Sequence, residues 1–364
     1  MRHRLLAVAL ISSLAACHQA QAPNPQTGQD AGASAKADTG QADARFADLS
    51  KRALQGWLQL SPIGATQIGE HRYDSEIDDL SEAGRQKRLD LTKKILAELD
   101  AINIAALSRE NQVDAIVLRN QLQYDVWNAE VMQGWAWDPQ TYSGLAGSAI
   151  YSLMAREFAP LPDRLRSATT RMEKLPALLA QARENLDPAR VPRVHAETVA
   201  KQNGGILSIV DMFITSKLGE LPEADRARAQ KAIEALKQAV SEHQKWLDNT
   251  LVPNAKGDFR IGQALYDQKL EFALVSSLSR AEIRRRAEAE IERVRAEMYG
   301  IARAVLKDKP DAPPMPDAPT GEQQQKAIEA ALELAYADRP ARDKVVEAAE
   351  AALATATGFV REKD

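Results

Sequence analysis

From Phe46 onward, the apolar residues of this 364-residue chain return every three or four positions, which lays them along one face of an α-helix. The repeat is cleanest in two places. Ile233, Leu236, Val240, His243 and Leu247 follow one another at spacings of 3, 4, 3 and 4. Ile283, Ala287, Ile291, Val294, Met298, Ile301 and Val305 form a second stripe. No stretch before the last residues alternates in the two-residue period of a strand. Aromatic residues make up only 5% of the chain, and Ala, Leu, Glu, Arg, Lys and Gln dominate, a mix that favours helices. The predicted fold is all-α, mainly long antiparallel helices.

Punctuation places the helices. Phe46, Leu49, Ala53, Trp57 and Leu60 share a face, and Ser61-Pro62 closes that helix. A second spans about residues 81–102 with Leu89, Ile95, Leu96 and Leu99, and a third starts at Ser108 with Val113, Val117, Tyr124, Trp127 and Val131 on one stripe. An aromatic-rich loop, Trp135 to Gly144, precedes a helix from Asp163 through Pro176 to Leu186. Helices over about 192–217, kinked at Gly204-Gly205, and 223–250 follow. Ser279-Arg-Ala-Glu282 fits a capping box opening a helix to Leu306, roughly 42 Å long. Its Ile291 and Val294 are expected to be buried. The organisation is a helical domain over 45–308, a connector over 309–319 with five prolines, and a helical hairpin over 320–364 that ends at the start of a strand.

The N-terminus is an export signal. Arg2 and Arg4 precede an apolar run from Leu5 to Leu14, broken only by Ser12 and Ser13, and small residues lead to Cys17. The run is too short to span a bilayer. Leu14-Ala-Ala-Cys17 resembles the bacterial lipobox, which implies that residues 1–16 are removed and the Cys17 thiol is lipidated; the alternative is an ordinary cleaved signal. Residues 18–44 contain no large apolar side chain, so 17–44 reads as a lipidated Cys with a disordered tether. His18 after the cysteine, by resemblance to Gram-negative sorting rules, favours the periplasmic face of the outer membrane. The membrane, through that lipid, is the partner implied.

Charge and cysteine usage exclude other classes. With 47 basic and 51 acidic residues the net charge is -4, and losing Arg2 and Arg4 with the signal makes it -6, so no nucleic-acid binder is expected. One cysteine rules out an internal disulfide framework. Neither a phosphate-binding Gly loop nor Gly-x-Ser-x-Gly occurs. Asp74, Glu76, Asp78 and Asp79 mimic part of a calcium loop, but Asp79 stands where Gly is needed and Arg85 where Glu is needed, leaving a solvated acidic loop. His71, His195 and His243 lie in three separate segments and no pair shares a helical turn. His243, on an apolar stripe, reads as a buried, hydrogen-bonded imidazole, and His195 as an exposed residue at a helix start. Arg284-Arg285-Arg286 is expected to pair with nearby acids. Trp135, Trp137 and Tyr142 either line a peptide or glycan cleft or pin their loop onto helices.

Several segments, taken in order, resemble one bacterial family, the "domain of unknown function 885" proteins. They are Ser61-Pro-Ile-Gly-Ala-Thr-Gln-Ile-Gly69 with Tyr73-Asp74 and Asp79-Leu-Ser81, Leu186-Asp-Pro188, Phe259-Arg-Ile-Gly262 with Tyr266 and Leu270, Ser279-Arg-Ala-Glu-Ile283, and Phe359-Val-Arg-Glu-Lys-Asp364. Members resemble helical zinc metallopeptidases whose His-Glu-x-x-His helix lies in a C-terminal part. That motif is absent here, so no catalytic, cofactor-binding or metal residue is carried over, and zinc is expected only with the missing part. The resemblance implies the N-terminal half of such a protein, inactive alone, with a peptide as substrate of the full-length form. The alternative is a non-enzymatic helical scaffold tethered to the envelope.

Overall fold

The computed structural model describes residues 29–363. Cys17 and the predicted export signal lie outside them. Among the described residues fifteen α-helices follow one another: α1 (Gln29–Leu60), α2 (Pro62–Gln67), α3 (Glu82–Asp100), α4 (Arg109–Trp127), α5 (Gly134–Trp137), α6 (Pro139–Met154), α7 (Leu161–Asn185), α8 (Arg193–Gln202), α9 (Gly205–Phe213), α10 (Glu223–Trp246), α11 (Val252–Asn254), α12 (Gln263–Leu274), α13 (Arg280–Val305), α14 (Gly321–Ala337) and α15 (Val345–Lys363). Among the described residues the only extended pairing is an isolated bridge between Pro192 and Gly257. The fold is all-α. No helix of the described chain is long and apolar enough to cross a membrane. The chain divides into two compact units, one through Tyr266 and one from Asp267, so the boundary lies well before the Pro-rich connector.

The core of the first unit is built where α7 meets α6 on one side and α10 on the other. Leu165, Met172, Leu175 and Leu179 of α7 pack with Ile150 and Leu153 of α6 and Leu236 of α10, all essentially without solvent exposure. The stripe on α10 is buried as its spacing predicts, from Ile233 through His243, with Leu247 just beyond the helix. α6 occupies part of the predicted aromatic loop and the residues after it. Its Asp138-Pro139 start is a helix signal: Asp138 caps the first turn through the Gln140 N–H at 3.1 Å, and Pro139 sits where no donor is needed. Small residues such as Ala146 and Ala149 let α6 approach its neighbours closely. Gly204 interrupts the predicted 192–217 helix, giving α8 and α9 separately. At Gly257 a Cβ would lie 2.0 Å from the Arg190 carbonyl oxygen, so only glycine fits beside that bridge.

A smaller cluster joins α1, α3 and α4 around Phe46, Leu49, Ile95 and Leu99. α1 begins at Gln29, so residues 29–44, predicted as tether, are helical. The segment is rich in Ala, the strongest helix former, and Asp43 accepts the Ser108 N–H at 2.9 Å. Of the predicted α4 stripe only Trp127 is buried: Val113, Val117 and Val131 are exposed, while Ala115, Leu118 and Leu122 face the cluster. A single π-helical turn over Asn128–Met132 then carries the chain to Gln133, which adopts a left-handed conformation with φ 51°.

In the second unit α13 packs on α14 through Tyr299, Ala302, Ala327 and Ile328. Ser279 Oγ accepts the Glu282 N–H at 3.2 Å, but the Glu282 carboxylate pairs with Arg285 and Arg286 instead of closing the predicted capping box. A complete box opens α14, where Thr320 and Gln323 satisfy each other's N–H groups at 3.2 and 2.8 Å. The connector docks on α13 through Tyr299 Oη, which donates to the Pro316 carbonyl at 2.7 Å. Two expectations fail here. Ile291 is 55% exposed and Val294 only half-buried, because the covered face of α13 is the one bearing Tyr299 and Ala302. The predicted strand at the C-terminus is instead the last turn of α15, whose Ala- and Glu-rich sequence carries the helix to Lys363.

Candidate functional site

The most concentrated polar chemistry lies between α7, α2 and the segment that follows α2. Arg171 is fully buried on the apolar face of α7. Its Nε–H donates to the Glu76 carbonyl at 2.9 Å, and Nη1 donates to the Ala149 carbonyl at 3.0 Å. Nη2 donates to the Pro62 carbonyl at 3.1 Å and to Thr66 Oγ1 at 2.7 Å. Thr66 Oγ1 passes its own proton toward Asp74 Oδ1 at 2.7 Å, and the other Asp74 oxygen meets His71 Nδ1 at 3.0 Å. A carboxylate only accepts, so Nδ1 carries the proton. The His71 ring stacks on Phe158 at 3.6 Å. Burial pushes the Arg171 guanidinium down to about 10, opposed by the charges of Asp74, Asp78 and Glu76.

This arrangement corrects the reading of the acidic loop at two of its four acids, for Glu76 and Asp79 are exposed. Asp74 and Asp78 are buried, not solvated. Asp78 accepts Ser61 Oγ–H at 3.0 Å and the Ile63 N–H at 3.1 Å. The segment Ser61–Asp79 is therefore clasped to α7 by an arginine whose donors are spent on the protein itself. The sequence held a signal for it: Arg171 stands between Ala168 and Leu175 on the buried stripe, where an unpaired charge would be very costly.

The aromatic segment forms a second polar cluster. Trp135 Nε1 donates to the Ala129 carbonyl at 3.3 Å, Trp137 Nε1 to Met132 at 2.8 Å, and Tyr142 Oη to Trp135 at 2.6 Å. Tyr142 is buried, and burial pushes its phenol up. The Arg85 guanidinium lies 4.1 Å over the Trp135 ring and donates to the Leu80 carbonyl and to Asn185. All three aromatic tips turn back onto the backbone of 129–135, and Trp135 and Trp137 are only partly buried.

The three histidines have separate surroundings. His195 is half-buried, not exposed: its ring faces Trp137 at 6.3 Å, and its Nδ1 is 3.9 Å from Asp138. His243 is buried beside Trp246, but its Nδ1 has no hydrogen-bond partner. Burial, helped by the Arg183 charge, pushes the His243 imidazole down to about 4. Among the described residues no group of three His, Cys, Asp or Glu side chains could hold a metal ion. An open groove of about 840 Å³ runs between α1 and the end of α3, where Arg52 is already paired with Asp48 at 2.9 Å and Glu98 at 2.7 Å.

The chain is similar to a described family and to a solved structure. A family profile described as "Bacterial protein of unknown function (DUF885)" matches residues 62–364. A solved structure described as "a putative lipoprotein of unknown function from Shewanella oneidensis" is similar with a TM-score of 0.70 and 28% identity. The similarity covers 87% of this chain and 57% of that one, so the chain spans little more than half the length of the neighbour. No curated protein matches.

Proposed function

The chain belongs to the DUF885 family of bacterial proteins, and from that membership we propose that it is an exported lipoprotein anchored through Cys17. One observation carries the reading: the single cysteine of the chain ends an apolar signal of lipobox form. The neighbour's description as a putative lipoprotein supports it. The anchor holds the helical body at the periplasmic face of the outer membrane. The body is the N-terminal, cleft-forming part of a metallopeptidase-like protein and is inert without the part that carries the zinc-binding helix. The rival reading, an envelope-tethered scaffold, shares the anchor and lacks the chemistry.

Two experiments test this reading. Cys17→Ser should release the protein from membranes in a carbonate wash; retention of the variant overturns the anchor. The purified chain should hold no stoichiometric zinc and hydrolyse no peptide. Zinc by elemental analysis together with chelator-sensitive hydrolysis would show that the chain is an enzyme by itself. Reading the DNA downstream of codon 364 for His-Glu-x-x-His separates the metallopeptidase half from the scaffold.

A further inference from the structure

The second unit leaves two helix faces bare. On α13, Ile291, Met298, Ile301 and Val305 are spaced 7, 3 and 4 apart and are 38–57% exposed. On α15, Val346, Ala349, Leu353, Ala356 and Val360 follow at 3, 4, 3 and 4, the seam of a packed helix pair, and Leu353 is 68% exposed. Among the described residues, no side chain of α15 is buried. In proteins most helical stability comes from packing of an amphipathic face, and α15 has that face without cover. Contiguous apolar faces of this kind mark interaction surfaces.

We propose that these faces of α13 and α15 are the docking surface for further polypeptide of the same fold, the part of the longer neighbour that this chain does not span. The inference rests on reading the chain as part of a longer protein, and not on zinc chemistry or lipidation. Two findings select that occupant. The family match runs unbroken to residue 364, so α15 is an element of the family fold. The neighbour, matched over 87% of this chain, has more than two fifths of its own length left over. Charge argues against an anionic lipid surface, which recruits unpaired basic residues. Arginines along α13 already have partners: Arg284 pairs with Glu288 at 2.7 Å, Arg293 with Glu290 at 2.6 Å and Glu297 at 2.9 Å, and Arg303 with Asp317 of the connector at 2.7 Å.

The test is hydrogen exchange on the full chain carrying Cys17→Ser, alone and extended at Asp364 by the unmatched part of the Shewanella protein. Extension should slow exchange in α13 and α15 by about tenfold or more, the mark of joining a cooperative unit. Ile301→Asp with Leu353→Asp in the extended chain should remove that protection while α7 stays protected. Reciprocally, cutting the Shewanella protein to its matched segment should deprotect the equivalent helices. Unchanged exchange in both the extended chain and the truncated neighbour overturns the proposal. So does an unextended chain that sediments as a dimer with α15 protected, which makes a second copy the occupant, or protection of α15 by anionic vesicles. Protection gained in an extended chain that hydrolyses no peptide with zinc would keep the docking surface and sink the metallopeptidase reading.

Discussion

α7 and α13 are close in length, 25 and 26 residues, and both carry an apolar stripe with many arginines, yet they end in opposite situations. α7 has ten buried residues, including a fully buried arginine, because α6 and α10 cover it from two sides. α13 has two, Tyr299 and Ala302, on the side that α14 covers. The arginines differ in kind as well. Arg171 donates to six backbone or side-chain oxygens of distant segments, whereas Arg284, Arg285, Arg286 and Arg293 pair with glutamates of their own helix. An amphipathic repeat thus builds a helix in either setting, and stability depends on what covers its face.

The contrast can be broken most forcefully at Arg171. Arg171→Met removes the cation that faces the buried Asp74 and Asp78, and a loss of roughly 3–5 kcal/mol is expected from the denaturant midpoint. A midpoint close to wild type would show that the clasp between Ser61–Asp79 and α7 is dispensable. Next, Leu175→Ala opens a cavity in the fully covered face of α7 and should cost roughly 2–5 kcal/mol.

His243 supplies a pH lever in the first unit. Burial holds its folded-state imidazole at about 4, below the ordinary 6.5, so the unfolded chain takes up the proton first. This contribution is harmless above the unfolded value and becomes destabilising as pH falls from 6.5 toward about 4. The loss reaches roughly 3 kcal/mol at most. Denaturation near neutral and near acidic pH should therefore differ more in the wild type than in His243→Gln; equal pH dependence would place His243 outside the core.

Substitutions in the second unit should be mild. Ser279→Ala removes the cap on the Glu282 N–H and should cost about 1 kcal/mol, read as faster exchange in the first turn of α13. Ile291→Ala should change stability by less than about 0.5 kcal/mol, since the side chain is more than half exposed. A cost as large as that of Leu175→Ala would mean that the bare face of α13 is covered in solution, and would erase the difference between the two helices.

Much of this architecture was legible in order along the chain. The α10 stripe, the Ser61-Pro62 stop of α1 and the Ser279 start of α13 all stand where the spacing places them. Those features are local: a period, a cap and a proline act within a few residues. α6 escaped because its core is built from Ala and Ile beside Gly and Ser, which read as a loop when only large apolar residues are counted. Most of the α4 stripe was assigned to the wrong face because Val113 and Val117 are bulkier than Ala115, although Ala115 is the residue that touches α1 and α3.

By itself the sequence determined that the chain is helical, where most helices begin and end, and that its only thiol follows an apolar run. Only the tertiary structure decided which stripes are core. It placed Arg171, Thr66, Asp74 and His71 in one hydrogen-bonded chain although they are up to 105 residues apart. It also left Ile291 and Leu353 in solvent. The reason is physical: helix formation is settled by neighbours three and four positions away, whereas burial depends on surfaces brought together across the whole chain, which no local pattern encodes.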